Sequence, residues 1–441
     1  MKKFRVLEMI LVVAAVSISW GAQAQAGLAN ENAQLKDRVD NLEKQVQDLT
    51  ATMEGQGQQT TPSAAKPSLW SNVDVQFYGY IKADAAYDDS RMTTGNYAVW
   101  ADRESTRVDD DEFNLTANET RLGLAITGPK TSTMETTGKV EFDFFGNYAA
   151  ENKAKIQMRH AFLKVYWPNS RFSVLAGQTW DVISPLNPST LNYTVLWDVG
   201  NIGYRRPQMP VTKELTVEPL QGTLKLEGAI ARTLGRDVLG AGATSESGED
   251  AGFPTLQARV GLTFPWLEAG ATTVGISGHW GQEEYDTSAT GASTDFDTWS
   301  INFDVLQPIC PKMTIKAEFF AGENLGAYFG GIGQTVRAVK DVNGVTTGYA
   351  NEITTRGGWC AATLGPWDNL TFNTGVGLED VDSGDVNSGD RIFNRCIFAN
   401  AIYALNKQTD VGVEVSHWRT DYKGGGDADD VRLQASFKYK F

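Results

Sequence analysis

Read in twos, the stretch "VRLQASFKYKF" puts Leu433, Ala435, Phe437, Tyr439 and Phe441 on one face. Arg432, Gln434, Ser436, Lys438 and Lys440 fall on the other. A period of two belongs to a strand, not a helix. The same pattern recurs from Val73 onward. In "VDVQFYGYIKADAAY" the shared face holds Val73, Val75, Phe77, Ile81, Ala83 and Ala85. In "ETRLGLAI" Leu122, Leu124 and Ile126 oppose Arg121, Gly123 and Ala125. In "LQARVGLTF" Leu256, Ala258, Val260, Leu262 and Phe264 oppose Gln257, Arg259, Gly261 and Thr263.

The connections sort by length. Seven are short turns with proline or polar residues: "TGPKTS", "WPNS", "VEPLQG", "FPWLEAG", "LQPICPKM", "LGPWDN" and "ALNKQ". Eight are long and polar, at 88–112, 146–155, 181–210, 233–253, 282–295, 325–350, 379–391 and 421–430. Fifteen connections join sixteen strands. Short turns on one rim, long loops on the other and an even strand count describe an outer-membrane barrel. A β-sandwich gives no reason for such sorting. Aromatic residues gather beside the short turns (Trp167, Phe264, Trp266, Trp367, Tyr403, Tyr439 and Phe441), as an interfacial girdle requires. The expected fold is all-β: a 16-stranded antiparallel transmembrane β-barrel over residues 72–441, with the closing segment pairing the first strand near Val73.

The N-terminal part follows other rules. Lys2, Lys3 and Arg5 precede an apolar run from Met9 to Ile18, then Ala22, Ala24 and Ala26, so residues 1–26 read as a signal peptide. The run is too short to span a bilayer as a helix. In residues 27–53, Leu28, Asn32, Leu35, Val39, Leu42, Val46, Leu49 and Met53 step by four and three. That is the seam of a short coiled coil, predicted to oligomerise the chain. Val at a with Leu at d is the dimer pattern, so this stretch does not itself specify a trimer. Residues 54–71, "EGQGQQTTPSAAKPSLWS", read as a flexible linker.

Composition narrows the classes further. A net charge of −15 over 441 residues argues against a nucleic-acid partner. Three cysteines, Cys310, Cys360 and Cys396, cannot form a full disulfide framework, though one bridge is open to them. His160, His279 and His417 lie far apart, with no zinc spacing. The acidic runs Asp109–Glu112 and 379–390 offer carboxylates to calcium without matching an EF-hand loop, and read better as solvated loops. No serine–histidine arrangement marks a lipase, so neither an enzyme nor a cofactor is expected.

The chemistry-bearing residues are arginines. A basic side chain facing lipid near the midplane costs about 2–4 kcal/mol, so arginines within strands belong in the lumen. Arg121, Arg259 and Arg432 have lumen parity, and Arg159 and Arg356 sit at similar distances from a short turn or the C-terminal end. On "RHAFLKVYW", Arg159 and Lys164 have opposite parity, so one faces lipid unless a bulge intervenes. Lys164 is nearer the turn and can snorkel, which places Arg159 inside. Asp143, Glu318 and Glu414 could balance these charges and make an ordinary mixed pore wall. The longest connection, "DVISPLNPSTLNYTVLWDVGNIGYRRPQMP", is too apolar for a solvated tip and reads as a loop folded into the lumen, with Arg205 and Arg206 near its return. Capping of the barrel or contact with a neighbouring subunit is its alternative. An arginine ladder in a narrow aqueous channel favours carboxylates or phosphates.

These segments together resemble the DcaP-like trimeric outer-membrane porins. The stretches "FYGYIKADAAYD", "RHAFLKVYW" and "GQTWDVISPLNPSTLNY…GYRRPQ" are similar to that family's early strands and third loop. The resemblance implies trimers, a periplasmic coiled coil, and passive uptake of small anions such as dicarboxylates through an arginine-lined constriction. Arg205 and Arg206 are the closest candidates for its binding arginines. The substrate-binding set expected from the sequence is therefore Arg121, Arg159, Arg205, Arg206, Arg259 and Arg356. The expected partners are small anionic solutes, outer-membrane lipid, further copies of the chain and, through the coiled coil, the cell wall. A phosphate- or sugar-selective porin and an outer-membrane tether to the cell wall are the competing readings. A terminal aromatic such as Phe441 also resembles the signal read by the outer-membrane insertion machinery.

Overall fold

The alternating segments quoted above are strands, and each pairs with the next in the chain. The computed structural model describes residues 44, 73–103, 110–146, 154–235, 247–287, 292–342 and 346–441. The signal peptide, the linker and, apart from Lys44, the coiled-coil segment lie outside them. The chain divides into two units, Met1–Ser68 and Leu69–Phe441, and the second holds the barrel.

Its strands are β1 (Asp74–Asp88), β2 (Glu112–Thr116), β3 (Arg121–Thr127), β4 (Glu135–Asp143), β5 (Gln157–Trp167), β6 (Phe172–Trp180), β7 (Arg205–Val217), β8 (Gly222–Ala231), β9 (Thr255–Leu267) and β10 (Gly270–Thr287). They continue with β11 (Ala292–Cys310), β12 (Met313–Glu323), β13 (Val336–Lys340), β14 (Thr346–Glu352), β15 (Thr354–Trp367), β16 (Leu370–Val381), β17 (Arg391–Ala404), β18 (Thr409–Tyr422) and β19 (Gly426–Lys440). β13 and β14 form a separate hairpin inside one long connection; the other seventeen make one sheet. β2 and β3 both pair with β1, facing Asp84–Asp88 and Asp74–Tyr80 respectively, and are the two halves of one barrel strand. The barrel is therefore closed with sixteen antiparallel strands, β1 pairing β19 from Tyr80↔Lys440 to Asp88↔Arg432.

The short turns fall where the sequence places them. Two long connections shrink: β10 and β11 pair as far as Thr287↔Ala292, and β18 and β19 as far as Tyr422↔Gly426. Much of 282–295 and 421–430 is therefore strand, because polar residues extend these ladders beyond the apolar belt. The belt itself is the outward row. Phe77, Ile81, Phe113, Leu115, Ile301, Phe319, Ile397, Val413 and Phe437 are exposed on it, as a lipid-facing surface requires. Trp266, Trp367, Tyr403 and Tyr439 are exposed beside the short turns, at girdle positions.

Packing inside the barrel comes from loops. Met92, Ala98 and Ala101 of the connection 89–111 and Leu196 and Val199 of the connection 181–204 pack on inward-facing Trp359, Phe398 and Trp418. The connection 181–204 crosses the lumen. Its backbone N–H groups at Val182, Leu186, Leu191 and Gly200 donate to Gln257, Glu318, Glu414 and Glu379, side chains on four different strands. Apolar inward residues on β15–β19 thus serve these loops, and the water-lined space is left beside β3–β9.

Candidate functional site: an arginine-lined constriction

The inward loop creates a cavity of about 330 Å³, lined by Glu119, Arg121, Lys139, Glu141, Arg159, His160, Trp180, Asn192, Tyr193, Trp197 and Arg205 among others. β3, β4 and β5 supply one wall, and the loop 181–204 with its return at Arg205 supplies the other. A second cavity of about 320 Å³ shares Trp180 and continues along β5–β9, lined by Lys164, Arg171, Lys225, Glu227 and Arg259.

β5 reaches this wall through a bulge. Its register against β4 shifts between Glu141↔His160 and Phe142↔Met158, leaving Arg159 as the extra residue. Arg159 and His160 are both buried on the inside, and Lys164 keeps the lumen parity of His160. The conflict between Arg159 and Lys164 is resolved by an added residue, so neither faces lipid.

The six expected arginines divide into three kinds. Arg121, Arg159 and Arg205 meet in the first cavity. Arg159 is tied down: its Nε lies 2.9 Å from Glu141 Oε1 and its Nη1 2.7 Å from Asp143 Oδ2. Arg121 Nε stands 3.7 Å and Lys139 Nζ 3.1 Å from the same Glu141 carboxylate, and both are partly exposed to the cavity. One carboxylate thus serves three cations. Arg206 and Arg259 are consumed by structure. Arg206 is 2.7 Å from Asp181 at the mouth of the loop. Arg259 makes a two-point contact with Asp304 (3.1 and 2.6 Å) and a third with Glu227 (3.3 Å). Arg432, also buried inside, donates to both oxygens of Asp88 at 3.0 Å.

Arg356 is a correction. It lies on the outer wall with 77% of its side chain exposed, paired with Asp380 at 2.8 Å. In "TTRGGWCAATLGPW" the inward row is Thr355, Trp359 and Ala361, because Trp359 packs on the inward loops. The apolar row, normally the guide to lipid, points inside here. Glu318 and Glu414, expected as balancing charges, instead accept loop amides at 2.8 Å (Leu186) and 2.7 Å (Leu191). Asp143 does balance an arginine.

Arg205 differs from all the others. It is 1% exposed, yet its Nε, Nη1 and Nη2 have no hydrogen-bond partner among the described residues. Three rings surround it: Trp180 at 4.7 Å, Tyr204 at 4.8 Å and Trp197 at 5.7 Å from the guanidinium carbon. Cation–π attraction contributes about 0.5–2 kcal/mol per good contact. Each buried donor left without a partner costs about 1–3 kcal/mol. A carboxylate entering the cavity would satisfy those donors in the fork geometry that arginine provides.

Lys139, Glu141, Trp180 and Trp197 were not singled out by sequence reasoning. The alternation "ETTGKVEFD" puts Lys139 and Glu141 on one inward row and could have shown the first two. The rings depend on how the loop folds back, which no local pattern encodes. Among the described residues, no group of three or more histidine, cysteine, aspartate or glutamate side chains is placed to hold a metal ion. Cys310 and Cys360 are exposed and Cys396 is buried, all free.

Residues 23–206 match the DcaP outer membrane protein family. No curated protein matches the sequence. Among solved structures, the fold is similar to the outer membrane channel DcaP of Acinetobacter baumannii, at 20% identity and TM-score 0.64, covering 84% of this chain and 98% of that one. It is also similar to an anion-selective porin from Comamonas acidovorans, at 13% identity and TM-score 0.52, covering 84% and 100%. A trimer form of OmpT from Vibrio cholerae aligns at 11% identity and TM-score 0.50, over 84% and 100%. At these identities the likeness is one of fold.

Proposed function

We propose that this outer-membrane porin, whose residues 23–206 belong to the DcaP outer membrane protein family, passes small anions of dicarboxylate type by passive diffusion. The observation that carries this reading is Arg205, a buried guanidinium with no hydrogen-bond partner among the described residues, held by rings on the wall of the cavity. Arg121 and Lys139, sharing one carboxylate with Arg159, add positive potential beside it. Field lines concentrate in a narrow aqueous path with low-dielectric walls, so a few uncompensated cations outweigh a net charge of −15 that is spread over the whole chain.

Selectivity follows from differential cost. An anion exchanges its water for Arg205 and then for Arg121 and Lys139, while a cation meets only carboxylates already shared. Binding stays weak enough for release because the contacts are few. The chain assembles as a trimer through its barrel walls and its N-terminal coiled coil, which lies in the periplasm and reaches towards the cell wall. The trimer form of OmpT supports three copies, and the heptad seam supports oligomerisation without specifying their number.

A sugar channel is favoured by one observation, the rings of Trp180, Tyr193, Trp197 and Tyr204 around the same space. These rings pack on one another and on Arg205, however, and do not form a track along the path. Proteoliposome swelling separates the two. Faster permeation of a four-carbon dicarboxylate than of an uncharged sugar of similar size supports the anion reading. Faster permeation of the sugar overturns it.

A further inference from the structure

We propose that the segment 324–335 backs the constriction, with Phe329 as a positioning residue for Arg205 and Tyr328 for Arg206; this rests on the anion-channel reading above. The sequence gives no sign of it, since 325–350 looks like an ordinary outer loop. Yet Leu325, Ala327, Tyr328, Phe329 and Ile332 are each 4% exposed or less. Leu325, Ala327 and Tyr328 pack with Ile183 and Ile202, and Phe329 with Trp197 and Tyr204, all of the inward loop 181–204, while Ile332 packs on Ile353, Val381 and Val386. The Phe329 ring lies flat on Trp197, centroids 4.4 Å apart and planes 9° from parallel. Its ring meets Tyr204 edge-on at 4.9 Å. Trp197 and Tyr204 are two of the three rings around Arg205.

The neighbouring residue does the same for Arg206. The Tyr328 ring sits 3.9 Å from the Arg206 guanidinium carbon, and the Ala327 carbonyl accepts from Arg206 Nη2 at 3.1 Å. Backbone bonds join the two loops on either side. Asp198 N–H donates to the Phe329 carbonyl and Gly203 N–H to the Tyr328 carbonyl, both at 2.8 Å. Gly333 N–H donates to Asp198 Oδ1 at 2.8 Å.

Phe329 and Ile332 hold φ of 59° and 50°, a left-handed conformation that is unfavourable for bulky residues. Such backbone persists where surrounding contacts fix it. For Phe329 those contacts are with Trp197 and Tyr204, two rings of the cage. Removing the Phe329 ring frees one face of Trp197, and Arg205 loses part of the frame that holds it at the cavity wall.

The test is the reversal potential of single channels in a salt gradient, for the full chain. Phe329→Ala is expected to lower the anion:cation permeability ratio roughly two- to tenfold, the range a stacked aromatic pair is worth. Phe329→Tyr, which keeps the stack, should retain the wild-type ratio. In an Arg205→Ala background, Phe329→Ala should change the ratio no further. Heat-modifiable electrophoretic mobility confirms that each variant is folded. If Phe329→Ala does not fold, Phe329→Leu, which keeps bulk but not the stack, takes its place with the same expectation. A selective wild type whose folded variant keeps its ratio, or loses it equally with and without Arg205, overturns the positioning role alone. A wild type with no anion preference ends the channel reading and this one with it.

Discussion

Gly79 and Phe441 exchange both of their backbone hydrogen bonds, each at 3.1 Å, across the seam where β1 meets the residue following β19. The Phe441 ring stacks on Phe77 at 5.3 Å beside them. A Cβ at position 79 would stand 2.2 Å from the Arg121 carbonyl oxygen on β3 and 3.2 Å from the Phe441 ring, so glycine suits the place where β1 lies between the two strands. A closed sheet leaves no unpaired edge in the hydrocarbon layer.

Deleting Phe441 removes two seam hydrogen bonds and one ring contact while leaving the constriction untouched. The fraction of folded, heat-modifiable protein in the outer membrane should fall severalfold. Channels that do assemble should keep wild-type conductance. Normal assembly with altered conductance would contradict this account of the seam.

Arg205 and Arg206 are adjacent in sequence and opposite in role. Arg206→Ala leaves Asp181 buried without its ion pair, and breaking such a pair costs about 3–5 kcal/mol. Arg205→Ala removes a group with no hydrogen-bond partner among the described residues. The lost ring contacts, about 0.5–2 kcal/mol per good contact, are offset by the relief of buried donors at about 1–3 kcal/mol each, so its net cost should be small. Hydrogen exchange across residues 181–204 should therefore quicken in Arg206→Ala and stay unchanged in Arg205→Ala. Equal loss of protection in both would mean that Arg205 is structural after all.

The contact between the two inward loops is expected to depend on pH. Burial raises the Asp198 carboxyl from an ordinary 3.8 to about 7, against the opposing pull of the Gly333 amide and the Arg391 guanidinium. Glu379, which accepts from Gly200 at 3.3 Å and also from Gly331, brings a further carboxylate to the same loops. The folded form holds the Asp198 proton more tightly than an exposed carboxyl would. Docking is thus strongest below the ordinary value, weakens as pH rises towards 7, and levels off above it. Amide protection over 197–204 and 326–334, corrected for intrinsic rates, should be lower at pH 8 than at pH 5. Asp198→Asn should shrink the difference, with Glu379 as the carboxylate that remains at the same loops. Unchanged protection in the wild type would show that this carboxyl is not what titrates.

The barrel was legible because lipid imposes one rule on every strand. Outward positions must be apolar, so Leu433, Phe437, Leu124 and Val260 announce their face without tertiary information. The inside obeys no such rule. Where loops fold in, Trp359 and Trp418 point inward, and Arg356, placed in the lumen by its distance from a short turn, faces outward. The bulge at Arg159 was foreseen as a possibility and located only by the β4–β5 register. Arg121, Arg159 and Arg205 were legible as lumen residues. Their pairing was not, since whether an arginine is spent on Asp304, as Arg259 is, depends on residues far apart in sequence.

The central claim is that Arg205 makes the path anion-preferring. The most direct test is the reversal potential of single channels in planar bilayers with asymmetric salt. The wild type should show anion preference, Arg205→Ala should lose most of it, and Arg356→Ala, on the outer wall, should match the wild type. Cation preference in the wild type, or an unchanged reversal potential in Arg205→Ala, would contradict the account.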